Sequence, residues 1–278
     1  MGDKSQVRRF GRGETTMTTQ SITSTAQQGK QFKRFVEDAG DKALAEVTPD
    51  KDGLQRLIMR GGEFQAYLVE GVRRFTAKQP DYSLAQSILG VDFITPEEIM
   101  KVAAVIYEDK HLDALHNTIP SEDVLRWCKE HNYAVLAAPS YPINLLNIRM
   151  LDSNLFYSKS GGWYSQEKFA SDNKTAQGWL LIRKDPVPES TSKNWNEQNK
   201  LLSGVESVPN SAEVSWLVTI YFKVRGIHLF EKVWVRCSDL DSDGDRVYVG
   251  YFDARGLHVG HSWVDNRSGY LGLASARK

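Results

Sequence analysis

The feature that most limits how this 278-residue chain can fold is a change of period near residue 133. From Gln31 to about Tyr133 the apolar residues recur every three or four positions, as half-buried helices require. Phe32, Phe35 and Val36 share one face, and Phe64, Tyr67, Leu68, Val72 and Phe75 repeat at the same spacing, with Gly61 and Gly62 dividing them from "DGLQRLIMR". The clearest start signal is "TPEE": Thr95 can cap, Pro96 suits the first helical position and Glu98 completes a capping box. Ile99, Val102, Ala103, Ile106 and Tyr107 follow as its stripe, and Pro120 with Ser121 opens another helix on which Val124, Leu125 and Cys128 align.

Beyond residue 133 the pattern becomes short extended runs broken by glycine-bearing turns. "LFYSKSGGWYS", "YFKVRGIHLF", "YFDARGLHV" and "DNRSGYLGL" each read as two strands around a turn, an antiparallel meander. All the tryptophans except Trp127 fall in this half, and aromatic, β-branched content suits a pleated, half-buried surface. The expected fold is α+β: a helical N-terminal half followed by an antiparallel β-meander domain. Its parts are a polar tail over 1–28, low in aliphatic side chains and read as disordered, a mostly helical region over 29–138, and an antiparallel β domain over 139–278. The β domain carries a Pro-rich loop near 184–213, with one short helix near Trp195 to Leu202. No repeat of solenoid or propeller length is present.

The charge balance narrows the partners. Thirty-five basic residues offset 35 acidic ones, so no net field draws the chain to nucleic acid or to an anionic membrane, and any such affinity has to be local. Two cysteines exclude a disulfide framework and a thiolate-based zinc site. No apolar run approaches the roughly 20 residues of a spanning helix. Arg8-Arg9-Phe10 has the form of a twin-arginine signal, but the polar run "GRGETTMTTQSITSTAQQGK" follows where an apolar region is needed, so a cytoplasmic location is expected. Met17 offers an alternative translation start.

Three stretches, "PSEDVLRWCKEHNYAV", "FYSKSGGWYS" and "DSDGDRVYVGYFDA", resemble segments of a group of uncharacterised bacterial proteins. The resemblance covers most of the chain after residue 95. It implies a bacterial, cytoplasmic setting and brings no assigned activity, cofactor or fold.

The stretch closest to a chemical motif is "SDLDSDGDRVYVGYFD" at 238–253. Asp239, Asp241, Asp243 and Gly244 match positions 1, 3, 5 and 6 of a calcium loop, and Asp245 can lend its carbonyl at position 7. Position 12 is Gly250 instead of a bidentate glutamate, and the flanks read as strands, so Ca2+ or another divalent cation would bind weakly. The competing reading is a hairpin turn at Asp243-Gly244. Against it, strands ending near Cys237 and restarting near Arg246 leave eight residues. Four carboxylates so close together need either a cation or Arg236 and Arg246 beside them.

Other reactive groups are weaker. Cys128, His258 and Asn266 follow the chain order of papain-like proteases, but Cys128 falls inside its helix on an apolar stripe, and Cys237 alternates with apolar strand residues. Glu108, His111, Asp113 and His116 give paired acid-x-x-His spacings without the second helix a di-iron bundle needs. No common nucleotide, hydrolase or zinc-protease signature is present.

Alternation over 227–236 puts His228, Phe230, Lys232, Trp234 and Arg236 on one strand face, with Tyr221, Lys223 and Arg225 on a partner strand. Aromatics interleaved with cations can stack on rings and hold anionic or hydroxyl groups. Packing of that face under helices, with Lys and Arg stems snorkelling, is the alternative. The expected function is a non-catalytic binding or interaction module using Tyr221, Arg225, Lys232, Trp234 and Arg236 to meet a protein or polymer, with no membrane role. The second expectation is a hydrolase with a divalent metal on Asp239, Asp241, Asp243 and Asp245, and His258 as general base.

Overall fold

The computed structural model describes residues 25–76 and 81–278, with the side chains of Glu70 and of 73–76 left out. The Arg-Arg pair, Met17 and most of the expected polar tail lie outside these residues, as does the side chain of Phe75. The fold is α+β, mostly helical at first and sheet-rich later. Contacts divide the chain into two units, one up to residue 76 and one from residue 77.

The first unit holds α1 (Ala26–Val47), α2 (Lys51–Met59) and α3 (Gly61–Thr76). Thr25 opens α1 with a full capping box to Gln28, and Asp50 caps α2 through the Gly53 N–H. No residue described between 25 and 72 is buried.

The second unit contains every buried core residue described, from Tyr82 to Ala274. Four helices lead it: α4 (Ser83–Leu89), α5 (Pro96–Val102), α6 (Asp109–Asn117) and α7 (Glu122–Glu130). The Thr95–Glu98 capping box and Pro96 start α5 as read from "TPEE", although the helix stops at Val102, short of the stripe expected to reach Tyr107. Leu125 and Cys128 of α7 are buried as expected.

Strands β1 (Phe93–Ile94) and β2 (Tyr133–Ala137) pair in parallel. After α8 (Leu145–Leu151) and α9 (Lys168–Asp172), β3 (Trp179–Arg183) pairs antiparallel with β2. Strands from before and after residue 138 therefore share one sheet, and the second unit begins well ahead of the expected β domain. The Pro-rich stretch carries α10 (Trp195–Asn199) and β4 (Glu206–Ser207) before α11 (Ser211–Arg225). The remaining strands are β5 (Trp234–Leu240), β6 (Arg246–Asp253), β7 (Gly256–Ser262), β8 (Leu271–Leu273) and β9 (Ala276–Arg277). They complete one sheet in the order β1-β2-β3-β9-β4 and a second in the order β7-β6-β5-β8. The run β5-β6-β7 is an antiparallel meander, with β8 added in parallel to β5.

Helix α11 corrects the sequence reading. The reading of "YFKVRGIHLF" as two strands around Gly226 places Tyr221, Lys223 and Arg225 on a strand paired with 227–236. Instead the run is a helix buried on nearly all sides, packed on β3 of one sheet, on β5 and β6 of the other, and on α5 and α8. A helix apolar all round has no amphipathic period to betray it. The caps did carry the signal: Asn210 and Glu213 form a capping box, and Gly226 closes the helix at φ 71° in the left-handed region.

Candidate functional site

The aspartates of 238–245 do not form one ligand shell. Strand β5 runs on to Leu240, which pairs with Arg246, so five residues connect the strands instead of eight. Asp239 lies on β5, nearly buried, with Oδ1 accepting from Asn173 Nδ2 at 2.5 Å and Oδ2 from the Ser211 N–H at 2.6 Å. Its charge is spent on the N-terminus of α11, a structural anchor for an anion. Asp243 is exposed and Gly244 sits at φ 84°, the turn expected of Asp-Gly.

Asp241 organises the turn. Its Oδ1 accepts from the N–H groups of Asp243 at 3.0 Å and Asp245 at 2.8 Å, and its Oδ2 lies 2.5 Å from His261 Nδ1. Asp245 Oδ2 lies 3.7 Å from the same nitrogen. One ligand atom each from Asp241, Asp245 and His261 fall within 4.8 Å of one another, a candidate set with a histidine that the aspartate spacing does not reveal. Register explains the meeting: β6 and β7 pair Arg246 with Ser262 and Val247 with His261, which brings β7 beside the β5–β6 turn. Trp163 stacks on the His261 ring at 4.3 Å, and Glu167 accepts from the N–H and hydroxyl of Ser242. The acidic turn is relieved by these donors and by backbone N–H groups.

The five residues expected on an aromatic and cationic sheet face do not share one. Tyr221 is buried on α11 and donates to Asp92 Oδ1 at 2.7 Å, while burial pushes its phenol well above the usual range. Arg225 holds Glu98 at 2.6 Å and the carbonyls of Val91 and Phe93. Lys232 is exposed in the turn before β5, since residues 227–233 are not strand. Trp234 and Arg236 stand two apart on β5, but Trp234 packs on Tyr248 and Tyr251, and Arg236 is fully buried. Its guanidinium donates to the carbonyls of Lys193, Trp263 and Asn266 and to Gln198 Oε1.

Both thiols are buried. Burial pushes Cys128 up to about 12 and also raises Cys237, the direction opposite to a nucleophile's. His258 stacks on Tyr157 at 4.0 Å and is not one of the three candidate ligands, and burial lowers its pKa. Glu108, just ahead of α6, accepts from Tyr141, and His116 of α6 faces Glu97 at 3.8 Å, so the acid-x-x-His pattern assembles no cluster among the described residues.

An apolar opening lies in the first unit, where the sequence showed stripes and no site. Phe32, Phe35 and Val36 of α1 face Phe64, Tyr67 and Leu68 of α3 across a groove of about 600 Å³. None of its lining side chains is charged. Phe35 is 66% exposed and Tyr67 78%, although their spacing is that of a buried stripe. The periodicity was legible; what no single sequence reports is that the two stripes leave each other uncovered.

Among the described residues no helix is long and apolar enough to cross a membrane. Comparison with protein-family models, with curated proteins and with solved structures finds no match to this chain.

Proposed function

We propose that the chain is a non-catalytic interaction module that takes an amphipathic helix of a protein partner into the groove between α1 and α3. The observation that carries this reading is the exposure of Phe32, Phe35, Phe64, Tyr67 and Leu68 around one groove in a unit none of whose described residues is buried. Isolated amphipathic helices are marginal in water and draw their stability from covering the apolar face. An exposed apolar groove of this kind marks an interaction site. The uncharged lining favours a helix over a small polar ligand, because small-molecule sites add convergent polar groups to their apolar walls.

The test is photo-crosslinking in native cells with p-benzoylphenylalanine in place of Tyr67, against the same group at exposed Lys129 of α7. We expect protein adducts from position 67 that position 129 does not give. The absence of any protein adduct at 67 would remove the reading.

A second reading rests on the meeting of Asp241, Asp245 and His261. Two carboxylates and one imidazole suit Mn2+ or Zn2+ better than Ca2+, which prefers six to eight oxygens. The cation would have to displace the bond between Asp241 and His261, so affinity is expected to be weak. Calorimetric titration with MnCl2 and ZnCl2 should give heat that His261→Ala abolishes; equal heat in the variant would place the ions elsewhere.

A further inference from the structure

Resting on the groove as a docking site, we infer that its occupant is α1 of a second copy of this chain, laid antiparallel in a two-fold dimer. The first half of α1, residues 26–36, carries Lys30, Lys33 and Arg34 and no acid, for a net +3. The second half, residues 37–47, carries Glu37, Asp38, Asp41 and Glu46 against Lys42, for a net −3. Only the Asp38–Lys42 pair, at 2.8 Å, joins any of these charges to another within the described residues. The cations of the first half and three of the acids therefore have no ion-pair partner among the described residues.

This order also runs against the helix's own macrodipole, which favours acids at the N-terminus and bases at the C-terminus. Helix α1 has neither an acid in its first turn nor a base in its last. An antiparallel copy relieves both costs together: it sets the +3 half beside a −3 half and opposes the two dipoles. A parallel copy would set like charges side by side. A single interface built this way is isologous and closes at two chains.

The apolar face of α1 allows the approach. Gly40 lies in the helix interior, where glycine costs about 1 kcal/mol relative to alanine. A Cβ placed there would meet nothing within 4 Å, so its own chain imposes no need for so small a residue. With Ala39 and Ala43 it lines the same groove as Phe32 and Phe35, a small surface against which a partner's aromatic rings can lie.

Sedimentation equilibrium of the full chain tests the inference. Wild type should sediment at twice 31.4 kDa. Gly40→Trp, which blocks the groove without adding charge, should sediment as a monomer. A triple variant with Lys30, Lys33 and Arg34 each changed to Glu, and one with Glu37, Asp38 and Asp41 each changed to Lys, should each weaken self-association at least about tenfold, the size of several surface ion pairs lost together. Mixing the two charge variants should restore a 1:1 dimer, an outcome that misfolded chains cannot give. Monomeric wild type, a dimer indifferent to Gly40→Trp, or charge variants that fail to pair on mixing would each overturn the inference. If wild type is monomeric while position 67 still crosslinks to another protein, the second copy is wrong and the docking groove stands. If position 67 yields no protein adduct, the groove reading itself falls.

Discussion

Arg236 shows how a single residue changes meaning between sequence and structure. In the sequence it is one more cation beside an aspartate-rich stretch; in the fold its side chain is fully buried and meets carbonyl oxygens and an amide, with no carboxylate among its hydrogen-bond partners. Burial, with Arg246 nearby, lowers its pKa from the usual range. It ties α10 and the 263–266 turn to β5, so removing it strands several buried acceptors at once. We expect Arg236→Ala to lower unfolding stability by about 3 kcal/mol or more, read from the urea midpoint at neutral pH. Arg236→Lys should cost nearly as much, because an ammonium cannot reproduce the planar fork; a lysine variant as stable as wild type would sink this account. His258 makes a smaller and pH-dependent contribution. Burial lowers its pKa below 6.5, an effect that nearby Arg255 reinforces and Asp253 opposes. Between the folded value and 6.5 the unfolded chain binds more protons, so stability must fall as pH drops below 6.5. The melting temperature should decline over that window, and His258→Gln should flatten the decline.

At the scale of elements, the aspartate turn and α11 show what the sequence could and could not convey. Capping chemistry is legible: "TPEE" opens α5, and "NSAE" at 210–213 opens α11, although the run that follows it is β-branched and aromatic. Propensity lost because α11 is the helix on which both sheets pack, and burial on every side overrides local preference. The turn at Asp243-Gly244 was legible for the same local reason. The role of Asp239 was not, since its partners Asn173 and Ser211 lie 66 and 28 residues away in sequence. Nor was His261, which reaches Asp241 only through the β6–β7 register. The two aspartates can be told apart by stability alone. Asp239→Ala removes the acceptor at the start of α11 and should cost about 1–2 kcal/mol in a urea unfolding curve. Asp243→Ala, at an exposed side chain, should change stability by less than about 0.5 kcal/mol. Equal losses at both positions would mean the turn acts as one charged shell after all.

At the scale of the whole molecule, the two units differ in what holds them together, and that difference should appear in a melting curve. The cores of the second unit gather most of its buried apolar residues from Tyr82 onward, so its stability is intramolecular and independent of concentration. No described residue of the first unit's helices is buried, yet their stripes have the spacing of a core. Helices draw most of their stability from packing of their apolar face, so α1–α3 must borrow stability from whatever fills the groove, and binding stabilises by mass action. Full-length protein followed by circular dichroism at 222 nm should therefore melt in two steps. The lower step should move upward as protein concentration is raised, and the upper step should not move. A chain lacking residues 1–76 should keep only the upper step, within about 2 °C of its full-length position, and should no longer self-associate. A single cooperative transition at every concentration would mean that α1–α3 melt with the second unit's core. A lower step fixed in temperature would mean that the groove gains its stability from no second copy.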